Sequence, residues 1–248
     1  MSVEKSRAII LKKQRLRETS VLATFYTEDF GKISGVMKGV RGGLNKTYNS
    51  LELYSLSEII FYKKNRGGLY TVGQCDLIDY FKEIRIDYEK TIYAFYFIEL
   101  LNAITINEDK NEKLFRLILK TLLSLKKKGN PAAVKNIYEI KTLILSGFKP
   151  RVDSCIICAR SVSKRARFST SLGGLLCDEC FSSDRSSLEI YNGTLATMLH
   201  IEKADFDNVW RLNLTSKVKG QLSKILSDFI SFHINTNIKS KSFVEAIT

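Results

Sequence analysis

Between residues 6 and 78 apolar and polar positions alternate in short runs, the period-two pattern of half-buried strands. The runs are Arg7–Lys12, Ser20–Thr27, Lys32–Lys38, Tyr54–Lys63 and Leu69–Leu77, rich in Ile, Val, Leu, Tyr, Phe and Thr. Glu28-Asp29-Phe30-Gly31 and Asn65-Arg66-Gly67-Gly68 supply turn chemistry, and one longer connection spans Val40–Leu53. Five short strands in so few residues predict a small closed barrel of the OB type. An SH3-like barrel fits nearly as well, and periodicity alone does not separate the two.

From about residue 80 the period becomes helical. Tyr88–Ile104 is apolar almost all round and predicts a central buried helix whose aromatics are core. Leu114, Ile118, Leu122 and Leu125 line one face of the next helix, which should end at Lys126-Lys127-Lys128-Gly129, where lysines complement the carbonyl end. Asn130-Pro131 supplies an N-cap and first-turn proline for a third helix running to Ser146, with Gly147 as its stop. Helical pattern resumes at Gly193–Lys203 and Ser216–Ile234, and the tail Asn235–Thr248 reads as loose. The expected architecture is α+β and multidomain. Residues 1–79 form the barrel, and residues 80–248 form a helical domain with a small inserted module at about 148–186.

The net charge is +13, carried by all parts of the chain and not by a basic tail. Such a field attracts polyanions, nucleic acid first. Ile92–Ile98, the most apolar stretch, is stopped by Glu99, far short of the roughly 20 residues a membrane span needs. With no export signal in the sequence, the expected compartment is a reducing cytoplasm. Its five cysteines should therefore be thiols or metal ligands, not disulfides.

Cys155-Ile-Ile-Cys158 and Cys177-Asp-Glu-Cys180 are the sharpest motif. Two C-x2-C knuckles offer four thiolates at the spacing of a zinc-ribbon-like site, and Gly173-Gly174 suits a tight turn before the second pair. Four protein ligands leave no open position, so the expected zinc is structural. His200-Ile-Glu202 matches the H-x-E of zinc deaminases literally, but it follows the cysteine pairs, no proline precedes either pair, and its segment reads as an amphipathic helix. Cys75 reads as a core thiol.

The stretch Lys38-Gly-Val-Arg41-Gly-Gly-Leu-Asn-Lys46 is basic and glycine-rich but is not a phosphate-binding Walker loop, because Asn45 stands where that motif needs glycine. Lys38, Arg41 and Lys46 suit phosphate contacts, and Lys12, Arg15 and Arg17 after the first strand form a second edge of the same candidate patch. Tyr48, Tyr54, Tyr62 and Tyr70 are candidate stacking platforms, half or more of them expected in the core.

The order of these features resembles the RecO family. Arg7-Ala-Ile-Ile-Leu-Lys is similar to its first strand. Arg17-Glu-Thr-Ser-Val-Leu-Ala-Thr-Phe-Tyr-Thr27 and Phe30-Gly-Lys-Ile-Ser-Gly-Val-Met-Lys38-Gly-Val-Arg41 resemble its second and third strands and basic loop. Tyr96-Phe-Ile-Glu-Leu100 is similar to its long helix, and Ser146-Gly-Phe-Lys-Pro150 leads into the cysteine pairs as in zinc-containing members. The resemblance implies an OB-fold, a helical domain with the zinc module, binding of single- and double-stranded DNA, and strand annealing. It further implies association with RecR and with the acidic C-terminal tail of single-stranded-DNA-binding protein, helping to load RecA; RecF and RecA enter the implied set indirectly. The implied setting is a bacterial cytoplasm, at the nucleoid.

The function expected is thus a non-enzymatic recombinational-repair mediator. A zinc-ribbon nucleic-acid-processing enzyme, an RNA-binding factor and a pure protein adaptor are the rivals. The sequence offers no acidic metal cluster, nucleophile–base pair or phosphate loop for the first of these.

Overall fold

The computed structural model describes residues 2–16, 18–39, 51–63, 68–127, 130–162, 165–205, 208–234 and 238–247. The chain forms two compact units, Met1–Gly129 with Ile238–Thr248, and Asn130–Asn237. A sheet-rich N-terminal region is followed by a helical one, with the change falling after Asp79.

In the first unit β1 (Ser2–Arg15), β2 (Val21–Thr27), β3 (Gly31–Met37), β4 (Leu56–Lys63) and β5 (Leu69–Asp79) close into a barrel in the order β1-β2-β3-β5-β4. All five expected strands are present. The first is longer than its apolar run because it serves two neighbours. Ser2–Ile9 pairs with β4 and Ala8–Arg15 with β2, with a bulge between Ile10 and Lys12. β3 and β5 run parallel, Gly35 opposite Tyr70. Phe25, Ile33, Ile59, Phe61, Tyr70 and Cys75 fill the interior, as alternation dictates. At Gly31, in left-handed backbone, a Cβ would collide with the Asp109 carbonyl.

The barrel is followed by a single turn, α1 (Lys82–Arg85), then α2 (Tyr88–Ile104) and α3 (Glu112–Lys126). Asp87 caps α2 by accepting from the Lys90 N–H, and Asn111 caps α3 by accepting from Leu114. Tyr93, Tyr96, Phe97, Leu100 and Leu101 of α2 are buried, so its aromatics are core as expected. Lys128 and Gly129, the expected C-cap of α3, lie outside the described residues. The tail corrects the sequence reading: Lys241–Ile247 is a helix, α7. Ser240 donates from its N–H and its Oγ to the half-buried Glu99 carboxylate of α2, at 2.8 and 2.6 Å, and Val244 is buried. At seven residues the helix is too short for a helical period to stand out, and packing against α2 supplies what length does not.

In the second unit α4 (Pro131–Leu145) begins as expected, Asn130 accepting from Ala132 and Ala133 with Pro131 in the first turn. It is buried along nearly its whole length and packs against α5 (Asn192–Lys203) and α6 (Ser216–His233). Its buried Lys135 and Glu139 pair at 3.1 Å, one turn apart. A four-stranded sheet of order β6-β8-β7-β9 belongs to the same unit: β6 (Arg151–Cys155), β7 (Arg167–Ser169), β8 (Gly174–Leu176) and β9 (Leu188–Glu189).

Candidate metal centre and nucleic-acid surface

β6 and β8 run parallel, so the chain leaves both at one end of the small sheet and there forms the two knuckles. Cys155 closes β6; Cys177 follows β8, and Cys180 sits on the 3-10 turn Asp178–Ser183. The pairs thus lie after parallel strands; among the described residues the hairpin between them is β7–β8. The first knuckle is tight. Cys155 N–H donates to the Arg160 carbonyl, Ala159 N–H donates back to Cys155, and Ala159 takes the left-handed region at φ 61°. Ile156 N–H donates to Leu175 O at 2.7 Å and ties the knuckle to β8. Gly173 makes the turn at φ 84°, and Gly174 allows β8 to lie against Arg151.

The four sulfurs lie within 4.8 Å of one another, and Cys158 Sγ to Cys177 Sγ is 3.6 Å. A zinc ion about 2.3 Å from each of four thiolates requires sulfur–sulfur edges of about 3.8 Å. The residues present fit that ion. Cys180 is pushed up to about 12 by loss of solvent and by hydrogen bonding to the other three. At Cys155 burial also resists ionisation, yet backbone N–H groups of Cys158, Cys177 and Ile157 prevail and bring it down to about 6. Among the described residues no other cluster of His, Cys, Asp and Glu has such geometry. His200 is exposed on α5, and Glu202 pairs with Lys149 at 2.6 Å, so neither joins the cysteines. Cys75 is buried in the barrel, its thiol pushed up to about 11.

The register of the barrel gathers three predicted DNA contacts. Arg15 lies opposite Val21, Val21 opposite Met37, and Lys38 follows Met37. Lys12, opposite Thr24, lies three residues back along β1, so strand alternation puts it on the other face of the strand from Arg15. All three side chains are exposed and carry no ion pair among the described residues, whereas neighbouring Lys13 is held by Glu52 at 2.8 Å. A groove of about 280 Å³ beside Lys38 is lined also by Leu16, Val36, Leu69 and Tyr70. Arg17, Arg41 and Lys46 lie outside the described residues, as does Tyr48. Of the remaining tyrosines, Tyr54 and Tyr70 are buried and only Tyr62 presents a surface ring. Lys126, weighed above as a helix end, is committed to Asp79 and Glu83 at 3.3 and 3.4 Å.

A β-barrel followed by a helical region with a closed four-cysteine centre is the class of protein these features define. The chain belongs to the RecO family. A model described as "Recombination protein O N terminal" matches residues 1–81, and one described as "Recombination protein O C terminal" matches residues 85–242. The chain is 30% identical over 247 residues to a DNA repair protein RecO of Caldicellulosiruptor bescii, covering 100% of both chains. It is 29% identical to that of Caldicellulosiruptor saccharolyticus, again with 100% of each chain covered. A third, from Syntrophus aciditrophicus, is 28% identical over 99% of this chain and 96% of the relative. No helix among the described residues is long and apolar enough to cross a membrane.

Proposed function

We propose that this protein is a recombinational-repair mediator without catalytic chemistry of its own. It binds single- and double-stranded DNA, anneals complementary strands and, with RecR, helps load RecA onto DNA coated with single-stranded-DNA-binding protein, whose acidic tail it also binds. The observation that carries the reading is the set of exposed cations Lys12 and Arg15 on β1 and Lys38 just past β3, none of them in an ion pair with another described residue. The strand order β1-β2-β3-β5-β4, with β1 pairing at both edges, supports an OB-type barrel, a fold that grips nucleic acid on its surface. Residues 1–79 are its DNA-binding domain, with Arg17, Arg41 and Lys46 as further DNA contacts.

Annealing needs no reacting group. Each phosphate met by a lysine or arginine releases a condensed counterion, which favours binding at low salt. Two strands on one cationic surface repel each other less and meet at raised effective concentration. Zinc on Cys155, Cys158, Cys177 and Cys180 has a structural role: it would neutralise four crowded thiolates and lock the two knuckles to the β6–β8 end.

The test is annealing of complementary oligonucleotides coated with the cognate single-stranded-DNA-binding protein, without ATP, comparing wild type with Lys12→Glu/Lys38→Glu. Fast annealing by wild type and loss in the folded variant are expected. The single-strand salt slope should fall by about 1.4, about 0.7 for each contact removed. No acceleration by wild type at low salt would overturn the annealing role, and an unchanged slope would move the DNA surface elsewhere.

A further inference from the structure

β3 and β5 pair over three residues each, the shortest seam of the barrel, with Ser34 opposite Leu69 and Val36 opposite Thr71. Gly35 and Tyr70, between them, are buried, so alternation turns Val36, Leu69 and Thr71 to the outside. These three, with Lys38 just past β3 and Leu16 just past β1, line the groove of about 280 Å³, and the core residue Tyr70 is also in its wall. Leu16 and Leu69 are 45% and 44% exposed. Scattered surface leucines are ordinary, but these two border one concavity, which makes it an apolar site.

Size and charge select what fits there. The volume lies just under the roughly 300–1,000 Å³ of sites for drug-sized molecules, so the groove has room for about one ring system. Residues 12–20, 36–46 and 63–71, the stretches from which its lining comes, hold ten lysines and arginines and one acid, Glu18. Of the other nearby carboxylates, Glu52 is held by Lys13 at 2.8 Å. Glu108 lines the neighbouring cavity and accepts from the Gly68 N–H at 3.2 Å. An apolar slot set among cations from three separate stretches suits a chain with a negative charge and a flat apolar ring on every unit. Single-stranded nucleic acid is such a chain.

We infer that the groove at the β3–β5 seam seats one unstacked base of a single strand, with the flanking phosphates on Lys38 and its basic surroundings. The inference rests on the DNA-binding reading above and deepens it. A base stacked and paired in a duplex must leave its stack to enter, so the groove favours single strands. Leu16, Val36 and Leu69 meet the base through its apolar faces, which every base has, and the seat is therefore tolerant of sequence.

The test uses the full chain, fluorescence anisotropy and two oligonucleotides with equal numbers of phosphates, one abasic throughout and the other with a single central thymidine. The thymidine strand should bind about fivefold or more tightly. Leu16→Ser/Leu69→Ser should lose that difference and still bind the abasic strand as wild type does. If that variant folds poorly by circular dichroism, wild type alone decides. A central thiothymidine, irradiated in the complex, should crosslink to the peptides that hold Leu16, Val36 or Leu69. Equal binding of the two strands in a salt-dependent complex, crosslinks confined to other peptides, or a difference that persists in the folded variant would overturn the inference and leave the DNA reading standing. Failure to bind either strand or oligothymidylate, even at low salt, would overturn both.

Discussion

Gly174→Ala is the smallest change that should damage the metal centre. The substituted Cβ would sit 2.7 Å from the Arg151 carbonyl oxygen and 2.9 Å from Arg151 Cβ, where unstrained contacts between heavy atoms lie at about 3.5 Å or more. The oxygen is backbone and cannot swing aside, so β6 and β8 must part by roughly 0.5–1 Å. That is the strand pair from which Cys155 and Cys177 depart, joined by the Ile156 N–H to Leu175 O bond and the Arg151 N–H to Gly173 O bond. Overpacking of this kind costs about 1–3 kcal/mol. Because metal affinity and folding of such a module are coupled, the same energy weakens zinc binding about 5- to 150-fold. Competition with a chromophoric chelator gives the zinc affinity, and thermal melting gives the stability. Gly220→Ala is the control: it lies inside α6, nothing stands within 4 Å of its Cβ, and it should stabilise by about 0.5–1 kcal/mol. If Gly174→Ala holds zinc within about twofold of wild type and melts no lower, the close strand approach does not sustain the site.

Two further outcomes concern ionisable groups. Ser169, Ser186 and Ser171 hydrogen-bond the Asp184 carboxylate and hold it down to about 2, so its contribution is present above the ordinary carboxylate range and lost as pH falls towards 2. The difference in melting temperature between wild type and Asp184→Asn should therefore shrink across that window, and a constant difference would contradict the assignment. Burial pushes the Cys75 thiol up to about 11, so it should resist alkylation at pH 8 in the zinc-loaded native protein and react once denatured. The same shift means native stability falls as pH rises from about 9 to about 11. Mass spectrometry showing Cys75 modified in the native state would refute its burial.

Much of this was legible in the chain. Alternation located all five barrel strands, because one face of each is buried and the other wet, and Asn130-Pro131 located the start of α4 through its own cap chemistry. The extra length of β1 was not legible, since pairing with two neighbours extends it into the polar residues Glu4 and Lys5. The helix Lys241–Ile247 was missed because its order comes from Glu99 and the face of α2, far away in sequence. Half or more of the candidate tyrosine platforms were expected in the core, but which ones was not legible, since a tyrosine carries no local signal for which side it faces: Tyr70 lies inside the barrel and Tyr54 against Phe95.

The cysteine spacing by itself determined two knuckles, each offering a pair of thiols, because two residues between ligands is a local constraint, and the parallel pairing of β6 with β8 brought the pairs together where they could hold a metal. Net charge likewise determined that the protein attracts polyanions. Only the tertiary structure decided which cations are free to do so. Lys13 and Lys126 are spent on Glu52, Asp79 and Glu83, whereas Lys12, Arg15 and Lys38 carry no ion pair among the described residues, and partners so distant along the chain meet only through strand register and helix packing.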